Sequence, residues 1–231
     1  MALSLVQHQT ATATASQNTL AVTVTALTAG NLVVVGVAGS SSESVNSIGD
    51  GGNTYTQCAS AKVTEAGGRW TDLWYAKNVS GGSTTVTVTY SATTANRKAV
   101  EVWEVSGADV SAPLDTSNGG TGTGGAGNKD TGASMTTGTA DAFLCGIIRT
   151  AGSVVGMDAS DVVFTSNDLM GGGGDACSAI VAATGTYTPI WSDGVGSASF
   201  ANSVGAFKIA SGGGGGATSG GPCTMTLMGV Q

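Results

Sequence analysis

Gly81-Gly82-Ser83-Thr84-Thr85-Val86-Thr87-Val88-Thr89-Tyr90 carries the pattern on which the fold turns. The glycine pair makes a turn. Behind it Val86, Val88 and Tyr90 share one face, and Thr85, Thr87 and Thr89 share the other. A period of two belongs to a strand with one buried and one wet face; an amphipathic helix would repeat its apolar residues three and four apart. The β-branched side chains at nearly every position suit the same pleated surface.

The same grammar extends outward. Leu20-Ala21-Val22-Thr23-Val24-Thr25 alternates with Leu20, Val22 and Val24 on one face, and a turn at Ala29-Gly30-Asn31 leads into 31–38, a continuous apolar run of the kind buried on both faces. Asp50-Gly51-Gly52-Asn53 is a turn followed by a strand at 54–60. Further strands read at 69–78, 83–90, 97–105, 132–137, 142–149, 161–165, 176–184 and 199–209, with 119–127 as a glycine-rich connection and loops at 171–174 and 212–216. Ten or more short strands with glycine turns and no helical pattern predict an all-β chain, a jelly-roll-like antiparallel β-sandwich. No fixed-period repeat is visible, which argues against a solenoid or propeller. The organisation expected is one sandwich domain over 1–210, a Gly-rich tether over 211–222 and a C-terminal strand arm over 223–231. In that arm Met225, Leu227 and Met228 are the apolar residues that would dock on a sheet edge, of this or a neighbouring subunit.

Composition narrows the function classes. Of 231 residues 41% are apolar, 38 are glycine and only 10% are charged, against about 25% in an average soluble domain. Disorder is disfavoured, because it goes with low hydrophobicity and high net charge. A net charge of −7 and only eight basic residues disfavour nucleic acid, which needs clustered Lys and Arg. A surface so poor in charge suits a protein that buries its outside in an assembly; a monomer covered in Thr, Ser and Asn is the alternative. Met1-Ala2-Leu3-Ser4-Leu5-Val6-Gln7-His8 lacks a basic region and a long apolar stretch, so no classical signal peptide is expected, and no apolar run is long enough for a membrane span.

Chemistry is hard to find. Cys58, Cys145, Cys177 and Cys223 have no paired spacing, which with a single histidine disfavours zinc and favours buried free thiols over disulfides. His8 is the only candidate base for a nucleophile and reads as an ordinary strand residue. Glu101 and Glu104, three apart on a strand, point to opposite faces and cannot form a glycosidase pair unaided; Glu101 is expected to pair with Arg97 or Lys98 at a strand edge. Asp158, Asp161 and Asp168 with Asn167 invite a calcium reading, but their spacing fits no EF-hand loop and Asp-capped turns are expected. The glycine runs lack a phosphate-loop ending. Among Trp70, Trp74, Trp103 and Trp191, the best candidates for an exposed glycan-stacking platform are Trp70 and Trp191. No catalytic residue, cofactor or metal is expected.

Gly49-Asp50-Gly51-Gly52-Asn53-Thr54-Tyr55, then Leu73-Trp74-Tyr75-Ala76-Lys77-Asn78-Val79-Ser80-Gly81-Gly82, Thr85 to Tyr90, and Val102-Trp103-Glu104-Val105-Ser106-Gly107 together resemble a Gly/Thr/Ser-rich β-sandwich module of phage-encoded and environmental bacterial proteins, best over residues 15–115. The resemblance implies a β-sandwich, and its phage context a virion surface role, as a capsid decoration protein or a fibre component. With the low charge and the lack of a catalytic set, the expectation is a non-enzymatic capsid decoration protein, homo-oligomeric, assembled in the host cytoplasm and contacting the major capsid or another virion protein. The alternative is a carbohydrate- or receptor-binding module of a tail fibre or extracellular bacterial assembly.

Overall fold

A computed structural model describes residues 2–40, 43–94, 97–124, 129–169, 173–193 and 198–210. Among them every ladder is antiparallel and no helix occurs, so none could cross a membrane. The chain is an all-β sandwich protein, and its strand order repeats.

The first half supplies β1 (Ser4–Ala13), β2 (Gln17–Thr23), β3 (Leu32–Ser40), β4 (Val45–Gly49), β5 (Thr56–Gln57), β6 (Val63–Thr64), β7 (Arg69–Ala76), β8 (Thr85–Thr94) and β9 (Lys98–Ser106). A larger sheet runs β1-β9-β3-β7-β5, with β6 also on β7, and a smaller one runs β2-β8-β4. Taking β5 and β6 as one interrupted strand, this is the jelly-roll order with one change: the fifth strand pairs with β7 in the larger sheet instead of with β4 in the smaller one. The two alternating stretches meet as neighbours, with Leu20 opposite Val88 and Val22 opposite Val86.

The second half supplies β10 (Leu114–Thr123), β11 (Lys129–Thr131), β12 (Met135–Thr136), β13 (Ala142–Thr150), β14 (Val154–Met157), β15 (Thr165–Leu169), β16 (Gly174–Val181), β17 (Thr186–Tyr187), β18 (Ile190–Asp193) and β19 (Ser199–Lys208). Its larger sheet runs β10-β19-β13-β16-β15; opposite lie β11-β18-β14 and the pair β12-β17. The Gly132 N–H donates to the Pro189 carbonyl at 2.9 Å, so β12-β17 continues the β11-β18 ladder across a break. Position for position this is the order of the first half. The span 1–210, expected as one sandwich, therefore holds two jelly rolls.

The rolls stack through their larger sheets, giving four layers and three apolar fillings. Val22, Val33, Val35, Val37, Val86 and Val88 fill the first roll. Leu32, Val34, Leu73 and Trp103 meet Phe143, Cys145, Ile147 and Phe207 at the seam between rolls. Leu144, Ile148, Trp191 and Phe200 fill the second. The parity along β3 and β13 follows: odd and even residues enter different cores, so both strands are apolar throughout. Hydrogen bonds tie the seam as well, with Thr71 Oγ1 2.7 Å from Ser203 Oγ, and Ser203 Oγ donating to the Ala61 carbonyl at 2.5 Å.

Two segments differ from the sequence reading. Residues 119–123 belong to strand β10 rather than to a connection, paired along β19 from Gly119 opposite Ser203 to Thr123 opposite Ser199. Glycine is needed there for close approach: a Cβ on Gly119 would lie 2.7 Å from the Ala61 carbonyl oxygen and 2.6 Å from Val63 Cγ1. The strand expected at 161–165 starts only at Thr165, because Asp161 Oδ1 accepts the Val163 and Phe164 N–H groups and closes a turn. The tether 211–222 and the arm carrying Met225, Leu227 and Met228 lie outside the described residues.

Candidate functional site

The aromatic platform expected from the sequence does not form. Trp70 and Trp191 are both 0% exposed. Trp70 lies inside the first roll with its ring edge-on to Tyr90, 6.3 Å between centroids, and Trp191 lies in the core of the second roll. The physical reason is which side each strand turns inward: Trp70 on β7 points between the two sheets of the first roll, against Tyr90, and Trp191 on β18 points between those of the second. Trp103 is buried in the seam, and Trp74 is half-buried with its Nε1–H on Asp72 Oδ2 at 2.9 Å.

The ionisable residues are arranged for structure. Glu101 faces the seam with Trp103, its Oε1 3.2 Å from His8 Nδ1. Glu104, on the opposite face, accepts from Gln7 Nε2 at 2.6 Å, Asn31 Nδ2 at 2.7 Å and the Thr28 N–H at 2.8 Å. β9 lies between β1 and β3 and is not an edge, which corrects the expected edge pairing. Lys98 turns to the other face and reaches Glu43 at 3.1 Å, both side chains buried, with its Nζ 5.3 Å from the Tyr90 ring centre. Burial pushes the thiols of Cys58, Cys145 and Cys177 above their ordinary range, and all three are free. Asp158 Oδ1 accepts from Ser160 and Asp161 Oδ1 from the Val163 and Phe164 N–H groups as turn contacts, while Asp161 Oδ2 accepts the Ile190 N–H at 2.9 Å and ties the turn to β18; the Asp168 side chain lies outside the description. Asn167, grouped with them in sequence, instead receives the Trp103 indole N–H. Among the described residues no three His, Cys, Asp or Glu side chains gather to hold a metal ion.

Among the described residues, three concavities bear on function. A polar cavity of about 390 Å³ is lined by Asn53, Thr54, Thr56, Tyr75, Lys77 and Asn78. Its wall is set by the Asp50 turn: Asp50 accepts from the Gly52 and Asn53 N–H groups and from Asn53 Nδ2, and Asn53 Oδ1 in turn accepts the Ser80 N–H at 2.7 Å. Burial acts against the Asp50 charge, but these donors outweigh it and hold the carboxyl below its usual range.

The other two lie at opposite ends of the seam. At one end an apolar groove of about 510 Å³ is bordered by Val6, Ala29, Ala108, Val110 and Ala210. At the other, a polar cavity of about 390 Å³ is lined by Ser40, Arg69, Arg97, Arg149, Thr150 and Ser153, among others. These are all the arginines in the chain. Arg69 opens β7, Arg97 immediately precedes β9 and Arg149 nearly ends β13, so strand ends of both rolls deliver them to one place. Arg149 is buried, with Nη2 donating to Ser40 Oγ at 3.1 Å and Nη1 to the Thr150 carbonyl at 3.4 Å. Arg69 is half-buried, its Nη1 on Glu65 Oε1 at 2.7 Å, and Arg97 is exposed at the mouth. Sequence reading found no signal for this convergence, since positions 69, 97 and 149 share no spacing; only the scarcity of arginine could have drawn attention to it. Neither a scan of protein-family models nor a search of curated proteins returns a match to this chain, so its functional reading rests on this geometry.

Proposed function

We propose that the chain is a non-enzymatic structural protein of a virion surface, a capsid decoration protein that works as a homo-oligomer against other virion proteins. The observation that carries this reading is the outer face of the smaller sheet of the first roll. Thr19, Ala21 and Thr23 of β2, Thr85, Thr87 and Thr89 of β8, and Ser47 and Gly49 of β4 line it, and none is charged. Such a face makes little demand on desolvation when it meets a neighbour, since no ion must be stripped of water. The two-roll stack supplies a broad body on which such a face can be presented.

The test is particle association. Sedimented particles from the producing culture should contain the protein at a copy number comparable to that of the capsid subunit. Thr23→Lys with Ser47→Lys, both at exposed sites, should leave the melting temperature unchanged and remove the protein from the particles. Recovery of the unmodified protein only as a free monomer overturns the proposal.

A second reading, as a carbohydrate- or receptor-binding module, is favoured by one observation: the cavity beside Asn53, Thr54, Thr56 and Asn78 combines amide and hydroxyl groups with the half-buried ring of Tyr75. That is the chemistry of a saccharide site. Glycan-array binding abolished by Tyr75→Ala in a folded protein would select this reading over the first.

A further inference from the structure

We propose that the three-arginine cavity at the seam is an oxyanion-binding site that takes a doubly charged phosphate or sulfate group. The inference is independent of the decoration role. It begins from distribution: an acidic chain of net charge −7 places its only three arginines around one cavity, although they come from three strand ends in two rolls. Like charges brought together repel, and the arrangement stands against that repulsion. Burial, and then the nearby charges of Arg69 and Arg97, pull the Arg149 guanidinium down to about 10. A bound anion would relieve the same strain.

The charge balance selects the class of ligand. Glu65 accepts from Arg69 at 2.7 Å, and none of the residues lining the cavity is acidic. Three guanidinium groups facing one cavity match a group with several charged oxygens better than a lone carboxylate. Guanidinium forks suit the oxygens of phosphate and sulfate, and the Ser40 and Ser153 hydroxyls add partners on the wall. A volume of about 390 Å³ also leaves room for a polar body carrying the anion, such as a sugar. A polyanionic strand is disfavoured, because the cavity is a single positive spot on a protein whose total charge would repel it.

Both rolls line the cavity, so occupancy should hold them together and raise thermal stability in proportion to the logarithm of ligand concentration. The experiment uses the full chain in phosphate, sulfate or chloride at matched ionic strength, with melting and titration calorimetry as readouts, and adds glucose 6-phosphate, glucose and glucuronate. Phosphate and sulfate should raise the melting temperature where chloride does not. Arg97→Gln, at an exposed position, should keep the near-ultraviolet circular dichroism of the parent and weaken phosphate binding by about tenfold or more. Arg69→Gln combined with it should abolish binding. Tighter binding of glucose 6-phosphate than of phosphate would identify an ester as ligand, equal affinity a free anion; either supports the site. The proposal is overturned if chloride matches phosphate, if glucuronate binds more tightly than both dianions, or if the double variant still binds.

Discussion

The indole Nε1–H of Trp103 donates to Asn167 Oδ1, 2.8 Å away, across the seam between the rolls. Trp103 is fully buried on β9, and Asn167 is the extra residue of a bulge in β15, between Ser166 opposite Cys177 and Asp168 opposite Ala176. A bulge re-aims one side chain out of the pleat, and here it turns an amide toward the one polar atom of a buried indole. Asn167→Ala should therefore destabilise by about 1–3 kcal/mol, the cost of a stranded buried donor. Adding Asn167→Ala to Trp103→Phe should cost less than adding it to the parent. Chemical denaturation of the four proteins measures the coupling, and strict additivity would mean the bond contributes nothing.

Two glycines in strands should respond to the same substitution with opposite sign. Gly119→Ala drives a methyl to within 3 Å of a backbone carbonyl and should cost about 1–3 kcal/mol. Gly49→Ala, with nothing within 4 Å of the added carbon, should stabilise by about 0.4–1 kcal/mol by restricting the unfolded chain. Melting curves of the two variants decide this, and equal shifts would refute the close approach at Gly119.

Trp70 is a core residue. Trp70→Ala should cost about 3–5 kcal/mol and leave any glycan binding by the still-folded protein unchanged. Lost glycan binding with an unchanged melting temperature would return Trp70 to the surface.

Acid should weaken the protein in part through Glu65. Burial opposes its charge, but the Gly67 and Arg69 N–H groups and the Arg69 guanidinium outweigh that and hold the carboxyl below the ordinary 4.5. A depressed acid stabilises the fold above its unfolded pKa, and that contribution is lost as pH falls through the lower folded value. Asp72, raised by burial, acts with the opposite sign, so the comparison must be between variants. Glu65→Gln should be less stable than the parent at neutral pH and converge with it in acid. Denaturant titrations across pH test this; a gap that does not narrow rules it out.

Buried thiols should be inert. With Cys223→Ser to remove the cysteine outside the described residues, an aromatic disulfide reagent should label no thiol in the folded protein and three after denaturation. Rapid labelling of the native state would contradict the burial of Cys58, Cys145 and Cys177.

The strands were legible wherever side-chain chemistry alone sets the pattern. The alternation at 20–25 and 85–90 becomes β2 and β8, and the apolar run at 31–38 becomes β3, buried on both faces. Reading failed where neighbours decide. Gly119 and Gly122 look like a loop because glycine is a poor strand former; what makes them strand is the chain packed against them. Trp70 looks available because nothing local says that its face of β7 is the one covered by the smaller sheet of the same roll. The duplication stayed hidden for the same reason, since it is preserved in hydrogen-bond order and not in residues: Leu73 of the first roll and Cys177 of the second occupy matching strands, β7 and β16, with no shared chemistry.

The shared seam also sets a hazard during synthesis. The first roll can close once β9 has left the ribosome, but its face carrying Leu32, Val34, Leu73 and Trp103 has no cover until β19 follows. At translation rates of about 5–20 residues per second, the intervening roughly 100 residues leave that face bare for about 5–20 s. For this interval the nascent chain is a half-molecule with a sticky side, and the partner nearest to hand on a polysome is the same side of another nascent chain. Slow elongation through the second roll favours such mispairing, and a chaperone that shields the first roll opposes it. Yield of the folded protein therefore depends on how fast the second half arrives.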